Sequence, residues 1–248
     1  MKKDSGKDNI VGIHAVRILL KVRPFDIYEI YLSDKNSSKF NEILEETKKN
    51  NIKIQKITND KIYEISNVKS HQGVLAVAKK KDEILERDII NYLASQPSNK
   101  ILLILDEVSD PRNFGACLRI CDAYNISAVV IKDHDSVKMN ETVRKVAAGS
   151  AETIPIIRVK NISRILEMLK KNNYWIYGAT DKAENDINEM TFNTPVALVI
   201  GGESTGLRQK TLKNCDYTIK ISMCGVVESL NIAVATGIIV NTIHSKIK

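Results

Sequence analysis

An α/β protein is what the sequence predicts, with a doubly wound C-terminal domain behind a smaller N-terminal one. Two observations carry this. From residue 100 onward, short and almost wholly apolar runs alternate with stretches of helical spacing. Runs of that kind suit parallel strands covered on both faces. Before residue 80 two of the strand-like runs alternate apolar and polar residues instead, and with the helical stretches between them they make a separate compact α/β unit.

In the first block, "GIHAVRILLK" (12–21) has helical spacing, "DIYEIYLSD" (26–34) alternates like a strand, and "NEILEETKKNN" (41–51) reads as a charged amphipathic helix. "IKIQKI" (52–57) alternates again and "GVLAVA" (73–78) is a short apolar strand. Residues 1–78 are therefore expected to form one small domain. Residues 79–99, charged and closing on Gln96-Pro97-Ser98-Asn99, are expected to be a linker that includes a helix over 83–94. The second domain, 100–248, has expected strands at 100–108, 127–132, 153–159, 174–180, 195–202 and 217–223. Helices are expected at 114–124, 140–148, 161–172, 205–213 and 229–246.

Composition narrows the function classes. Hydrophobic residues make up 43% and charged residues 27% of the 248, as in ordinary globular proteins. No apolar run is long enough to span a bilayer, and no apolar segment follows the basic "MKKDSGKDN", so a cytoplasmic location and no membrane partner are expected. The net charge of +7 permits a polyanionic partner. Four cysteines, Cys117, Cys121, Cys215 and Cys224, form no C-x-x-C pair, so reduced core thiols and no metal site are expected.

Three stretches share one layout, a strand followed by a polar or glycine turn and a helix. "GGESTGLR" (201–208) is neither common phosphate loop: Leu207-Arg208 follow Gly206 where a Walker A loop needs Lys-Ser/Thr, and the glycine spacing is wrong for a dinucleotide fold. A plain glycine turn would explain it equally well. In "ISMCGVVESLNIAVATG" (221–237) Ser229 is a natural helix N-cap, whereas Asn231 heads an apolar helix. In "DPRNFGACLRICDA" (110–123) Asn113 is placed to cap the helix, and Arg119 interrupts an apolar run. A buried cation needs a partner. Either Arg119 bridges to Glu203 or Asp122, or it faces an anionic ligand.

These three motifs, in this order, resemble the signature motifs of the SpoU family, RNA ribose 2′-O-methyltransferases of the SPOUT superfamily. The resemblance covers essentially all of 100–248. "GIHAV" and "HQGVLA" in the first block resemble the ribosomal-protein-like RNA-binding domain of the subgroup that modifies a guanosine of 23S rRNA. The resemblance implies a C-terminal trefoil knot, S-adenosylmethionine as cofactor, and a homodimer. It implies cofactor contacts at Gly201, Ile221, Leu230 and Thr180, and catalytic roles for Arg119, Asn113, Glu203, Ser229 and Asn231. Arg112 stands where the family often has His. A guanidinium is a poor general base, since it has no acceptor, so positioning and charge stabilisation are the expected roles of Arg119. Two other readings remain open at this point: a tRNA ribose methyltransferase of the same family, and a non-catalytic RNA-binding protein of this fold.

Overall fold

The computed structural model describes residues 6–35, 38–96, 101–134, 136–202, 206–227 and 229–247. They divide into two compact units: residues up to Asp82 together with Arg144–Thr153, and Glu83–Val143 together with Ile154 onward.

In the first unit, β1 (Lys7–Val11), α1 (Ile13–Val22), β2 (Ile27–Ser33), α2 (Asn41–Lys49), β3 (Lys53–Ile57), α3 (Asn59–Ser66) and β4 (Val74–Lys79) follow in order. The sheet order is β1-β4-β2-β3. β4 is antiparallel to both neighbours, and β2 and β3 are parallel. α1 turns Val16, Leu19 and Leu20 inward, and α2 adds Ile43. These pack on Ile10, Ile30, Leu32, Val74 and Ala76 from the strands. Two elements are not visible in the apolar pattern. β1 buries only Ile10, as an edge strand does, and α3 buries only Ile62. The Thr58 hydroxyl starts α3 by accepting from Lys61 N–H, and Asn67 ends it in the left-handed region at φ 57°.

The second unit begins inside the segment expected to be a linker. α4 (Ile89–Ala94) buries Ile89 and Leu93 in that unit's core, and Ile84 bridges to Ile157. Then come β5 (Ile101–Asp106), α5 (Pro111–Ala123), β6 (Val129–Lys132), α6 (Glu141–Ala147), α7 (Ser150–Thr153), β7 (Ile156–Val159), α8 (Ile162–Lys171) and β8 (Trp175–Ala179). β9 (Asn185–Asp186), β10 (Val196–Gly201), α9 (Gln209–Lys213), β11 (Tyr217–Lys220) and α10 (Ile232–Lys246) complete the chain. The seven strands make one parallel sheet in the order β7-β6-β5-β10-β8-β11-β9. β5 is buried along its whole length and β10 from Val196 to Ile200, which is why their sequences read as unbroken apolar runs. β9, two residues long, has too little sequence to carry a pattern.

Residues 144–153 lie in sequence within the second block and in space with the first unit. The cause is a buried ion network. Glu152, with its side chain 3% exposed, accepts from Arg23 Nη1 at 3.0 Å and also pairs with Arg144. Arg144 reaches Asp8 at 2.7 Å, and Lys81 Nζ donates to the Glu152 carbonyl at 2.8 Å. Gly149, at φ 103°, sits against Ile18: a Cβ there would fall 2.4 Å from Ile18 Cδ1.

Candidate active site

Two helices and three strand ends build the site, all within the second unit. α5 starts at Asp110, whose carboxylate accepts from the backbone N–H of Arg112 (2.6 Å) and Asn113 (3.0 Å), with Pro111 at the first helical position. Asn113 therefore does not cap this helix; Asp110 does, because it stands at the last extended residue. α10 starts at Asn231, whose Oδ1 accepts from Ala233 N–H at 3.0 Å. Ser229 is not the cap; it is exposed and lies two residues earlier. The amide of Asn231 does two jobs that a serine hydroxyl in its place would not combine as well. Its oxygen caps α10, and its Nδ2 donates to Asn113 Oδ1 at 2.9 Å. Two residues 118 apart in sequence thus join the starts of two helices.

The helices then run side by side in the same direction. Cys117 Sγ lies 3.6 Å from Thr236 Oγ1, the space beside Gly237 is filled by Ile120, and Tyr124 OH donates to Asn241 Oδ1 at 3.0 Å. Burial raises the Cys121 thiol well above its ordinary pKa, so it stays protonated.

Arg119 is not a buried cation. α5 turns Phe114, Cys117, Leu118 and Cys121 inward and leaves Arg119 on its exposed face, seven residues and two turns from the exposed Arg112. The expected bridge to Asp122 is not formed, and Arg119 has no ion pair among the described residues. The apolar run misled because its buried residues line one face of the helix while Arg119 lies on the face that meets water. Glu203, the other expected partner, lies outside the described residues.

The strand ends gather three of the four expected cofactor residues. Ala179 of β8 pairs with Ile200 of β10 on one side and with Ile219 of β11 on the other. The next residues, Thr180, Gly201 and the β11 end leading to Ile221, therefore lie in one row, and Thr180 N–H donates to the Ile219 carbonyl at 2.9 Å. Gly201 is sterically required: a Cβ there would fall 2.2 Å from the Gly206 backbone. Gly206 N–H donates to the Gly202 carbonyl at 2.9 Å, and Gly206 adopts φ 59°. Ile221 and Leu230 are half-buried, the second adjoining Asn231. Gly201 also pairs with Asp106, at the point where the strand order reverses between β5 and β10. Open parallel sheets bind ligands at that point.

Two polar groups here escaped sequence reasoning. Asp106 is buried, accepts from Thr211 Oγ1 at 2.7 Å, and lies 3.9 Å from Arg208, which also pairs with Glu107. A carboxylate ending a buried strand was the available signal. Asp186 accepts from the Ser222 hydroxyl, the residue after Ile221, and that bond holds its carboxyl below the usual range. Among the described residues no group of three or more His, Cys, Asp or Glu is arranged to hold a metal, and no helix is long and apolar enough to cross a membrane.

A parallel sheet whose adjacent strand ends carry a close glycine–glycine approach, beside a helix with an exposed arginine, makes an α/β domain with its candidate site at the carboxyl ends of the strands. Residues 100–241 match the model of the SpoU rRNA Methylase family, and residues 9–84 match that of the RNA 2′-O ribose methyltransferase substrate-binding domain. The chain belongs to the SpoU family and is an RNA 2′-O-methyltransferase. It is 39% identical to the 23S rRNA (guanosine-2′-O-)-methyltransferase RlmB of Vibrio vulnificus, over 92% of this chain and 93% of that one. It is 38% identical to the Escherichia coli protein of the same name, over 92% and 94%. The fold is shared with the SpoU methyltransferase AviRb of Streptomyces viridochromogenes, solved in complex with AdoMet: TM-score 0.78, 19% identity, 97% of this chain and 90% of that one.

Proposed function

We propose that this chain, as a homodimer, methylates the ribose 2′-hydroxyl of a guanosine in 23S rRNA, using S-adenosylmethionine. The observation that carries the substrate is the 38–39% identity to enzymes of that name over more than nine-tenths of both chains. A tRNA substrate has no comparable support.

The residues present fit the cofactor. Gly201 and Gly206 bring bare backbone close to the strand ends, and Ile221 and Leu230 offer half-buried apolar surface for an adenine. Thr180 closes the row. Bound there, S-adenosylmethionine supplies a methyl group activated on a sulfonium. Asn231 and Asn113 tie the start of α10, and with it Leu230, to α5, which fixes that wall of the crevice. Fixed geometry of this kind lowers the cost of in-line approach by the ribose oxygen. Arg119 is assigned to the phosphate beside the target ribose. Its guanidinium has no acceptor, so a phosphate oxygen or water takes the hydroxyl proton. Ser229 adds an exposed hydroxyl next to Leu230, and Glu203 is assigned to holding the 201–206 turn or pairing with Arg119.

The dimer reading rests on Val226, Val227, Val234 and Ile238. All are exposed, and they run from the 221–230 loop onto the outer face of α10. Water-facing valines and isoleucine grouped in this way mark a contact surface. The trefoil knot belongs to the same reading. Its support is that β11 lies beyond β8 while the chain after it returns to pack α10 on α5. The same reading assigns the protein to the cytoplasm, where the bacterial relatives' substrate, 23S rRNA, is found.

The test is transfer of a labelled methyl group to purified RNA in excess chelator. Label should enter a 23S rRNA transcript and not tRNA. Label in tRNA alone, or transfer that stops on chelation, would overturn the reading.

A further inference from the structure

We propose that Phe25 and Tyr28 form a stacking platform on which the first unit captures an unpaired base of its RNA substrate. The inference rests on the RNA reading above and names the side chains that would do the capturing.

Phe25 is 95% exposed and Tyr28 51%. A single exposed apolar side chain is ordinary; the bracing under this one is not. Phe25 is the middle residue of a 3-10 turn, Pro24–Asp26, in which Pro24 fixes the backbone and Asp26 N–H donates to the Arg23 carbonyl at 3.1 Å. Arg23, its side chain only 13% exposed, donates to Asp26 Oδ2 at 2.8 Å, to the Lys79 carbonyl at 2.7 Å and to Glu152 Oε2 at 3.0 Å. A nearly buried arginine with three partners thus fixes the backbone that carries the ring. Rigid presentation lowers the entropy lost on binding.

Tyr28 follows three residues later, where the β2 register against β4 shifts between Ile27 and Glu29. Lys7 Nζ sits 4.9 Å from its ring centre, and Lys7 has no carboxylate partner among the described residues. The nearby carboxylates are already engaged, Asp26 by Arg23 and Asp82 by Lys79. The platform therefore offers two aromatic rings and a cation with no ion pair among the described residues. An unpaired nucleotide, with a π-face and a phosphate, matches that set. An apolar protein partner would match the rings and leave the cation unused.

The experiment measures binding of the full chain to a 23S rRNA transcript. Phe25→Ala should weaken it by roughly tenfold or more, the usual effect of losing one base–aromatic stack. Phe25→Leu, apolar but unable to stack, should behave as the alanine variant does. Phe25→Trp should bind as the wild type, and its added fluorescence should be quenched by the transcript. Unchanged cofactor affinity and thermal midpoint would show that each variant is folded. Phe25→Ala binding the transcript as the wild type does, or Phe25→Leu restoring binding, would overturn the platform while leaving the RNA reading intact. So would normal binding to naked transcript with a loss seen only on ribosomal subunits, which would mark a protein partner. Failure of the wild-type chain to bind the transcript would instead overturn the RNA reading itself.

Discussion

Arg119 shows how the surroundings of one residue can be misread from its neighbours in sequence. A cation within an apolar run suggested burial, but the helix turns it to water. With no ion pair to lose among the described residues, Arg119→Ala should keep the fold and the cofactor affinity and lose nearly all methyl transfer. Calorimetry alongside a turnover assay checks this, and a misfolded variant would contradict it. Asn231 is the opposite case, a residue whose contacts are structural and shared. Asn231→Ala removes the α10 cap and the link to Asn113, and should cost at least the ~0.5–2 kcal/mol of a lost N-cap in urea unfolding. Asn231→Asp keeps an oxygen for Ala233 N–H but no donor for Asn113. It should recover much of that stability while still loosening the cofactor site.

At the scale of elements, the central parallel strands were legible because both faces are buried, so each residue of β5 had to be apolar up to Asp106. β1, α3 and β9 were not, because an edge strand, a helix with one buried residue and a two-residue strand leave no periodic trace. The motifs named the candidate residues, and the register sets Thr180, Gly201 and the approach to Ile221 in one row. What the motifs could not supply was pairing across sequence: the Asn113–Asn231 bond and the Asp106–Thr211 bond join residues more than a hundred positions apart. Ser229 and Asn231 are both good cap residues by type, and only the backbone at Asn231 decides between them. Gly201→Ala tests the strand-end site. Its Cβ would meet the Gly206 backbone, which is not a yielding side chain. An overpacking cost of about 1–3 kcal/mol would raise the cofactor Kd on the order of tenfold or more, as read by calorimetry.

For the whole molecule, the first unit reaches across the sequence to include 144–153, and a buried charge network secures it. Burial pushes the Lys81 ammonium down to about 8 from the ordinary 10.5, against the pull of Glu152. Between those values the unfolded chain holds a proton that the folded chain does not, so stability rises with pH across about 8 to 10.5. Wild type should therefore gain on Lys81→Met over that window, and a difference independent of pH would contradict the assignment. The same network bears on truncation. Removing residues 1–78 takes away Arg23, one of the two arginines on Glu152, and Ile18, the side chain against Gly149. Hydrogen exchange at 144–153 should then lose protection.

Methyl transfer to one ribose in 23S rRNA is the central claim, and site-resolved mapping of ribose methylation tests it most directly. RNA from cells with this protein, without it, and with the Arg119→Ala form should be compared. The prediction is a single 2′-O-methylated guanosine in 23S rRNA that is present only with the wild-type chain. An unchanged 23S rRNA map, or a methylated ribose that survives loss of the protein, would contradict it.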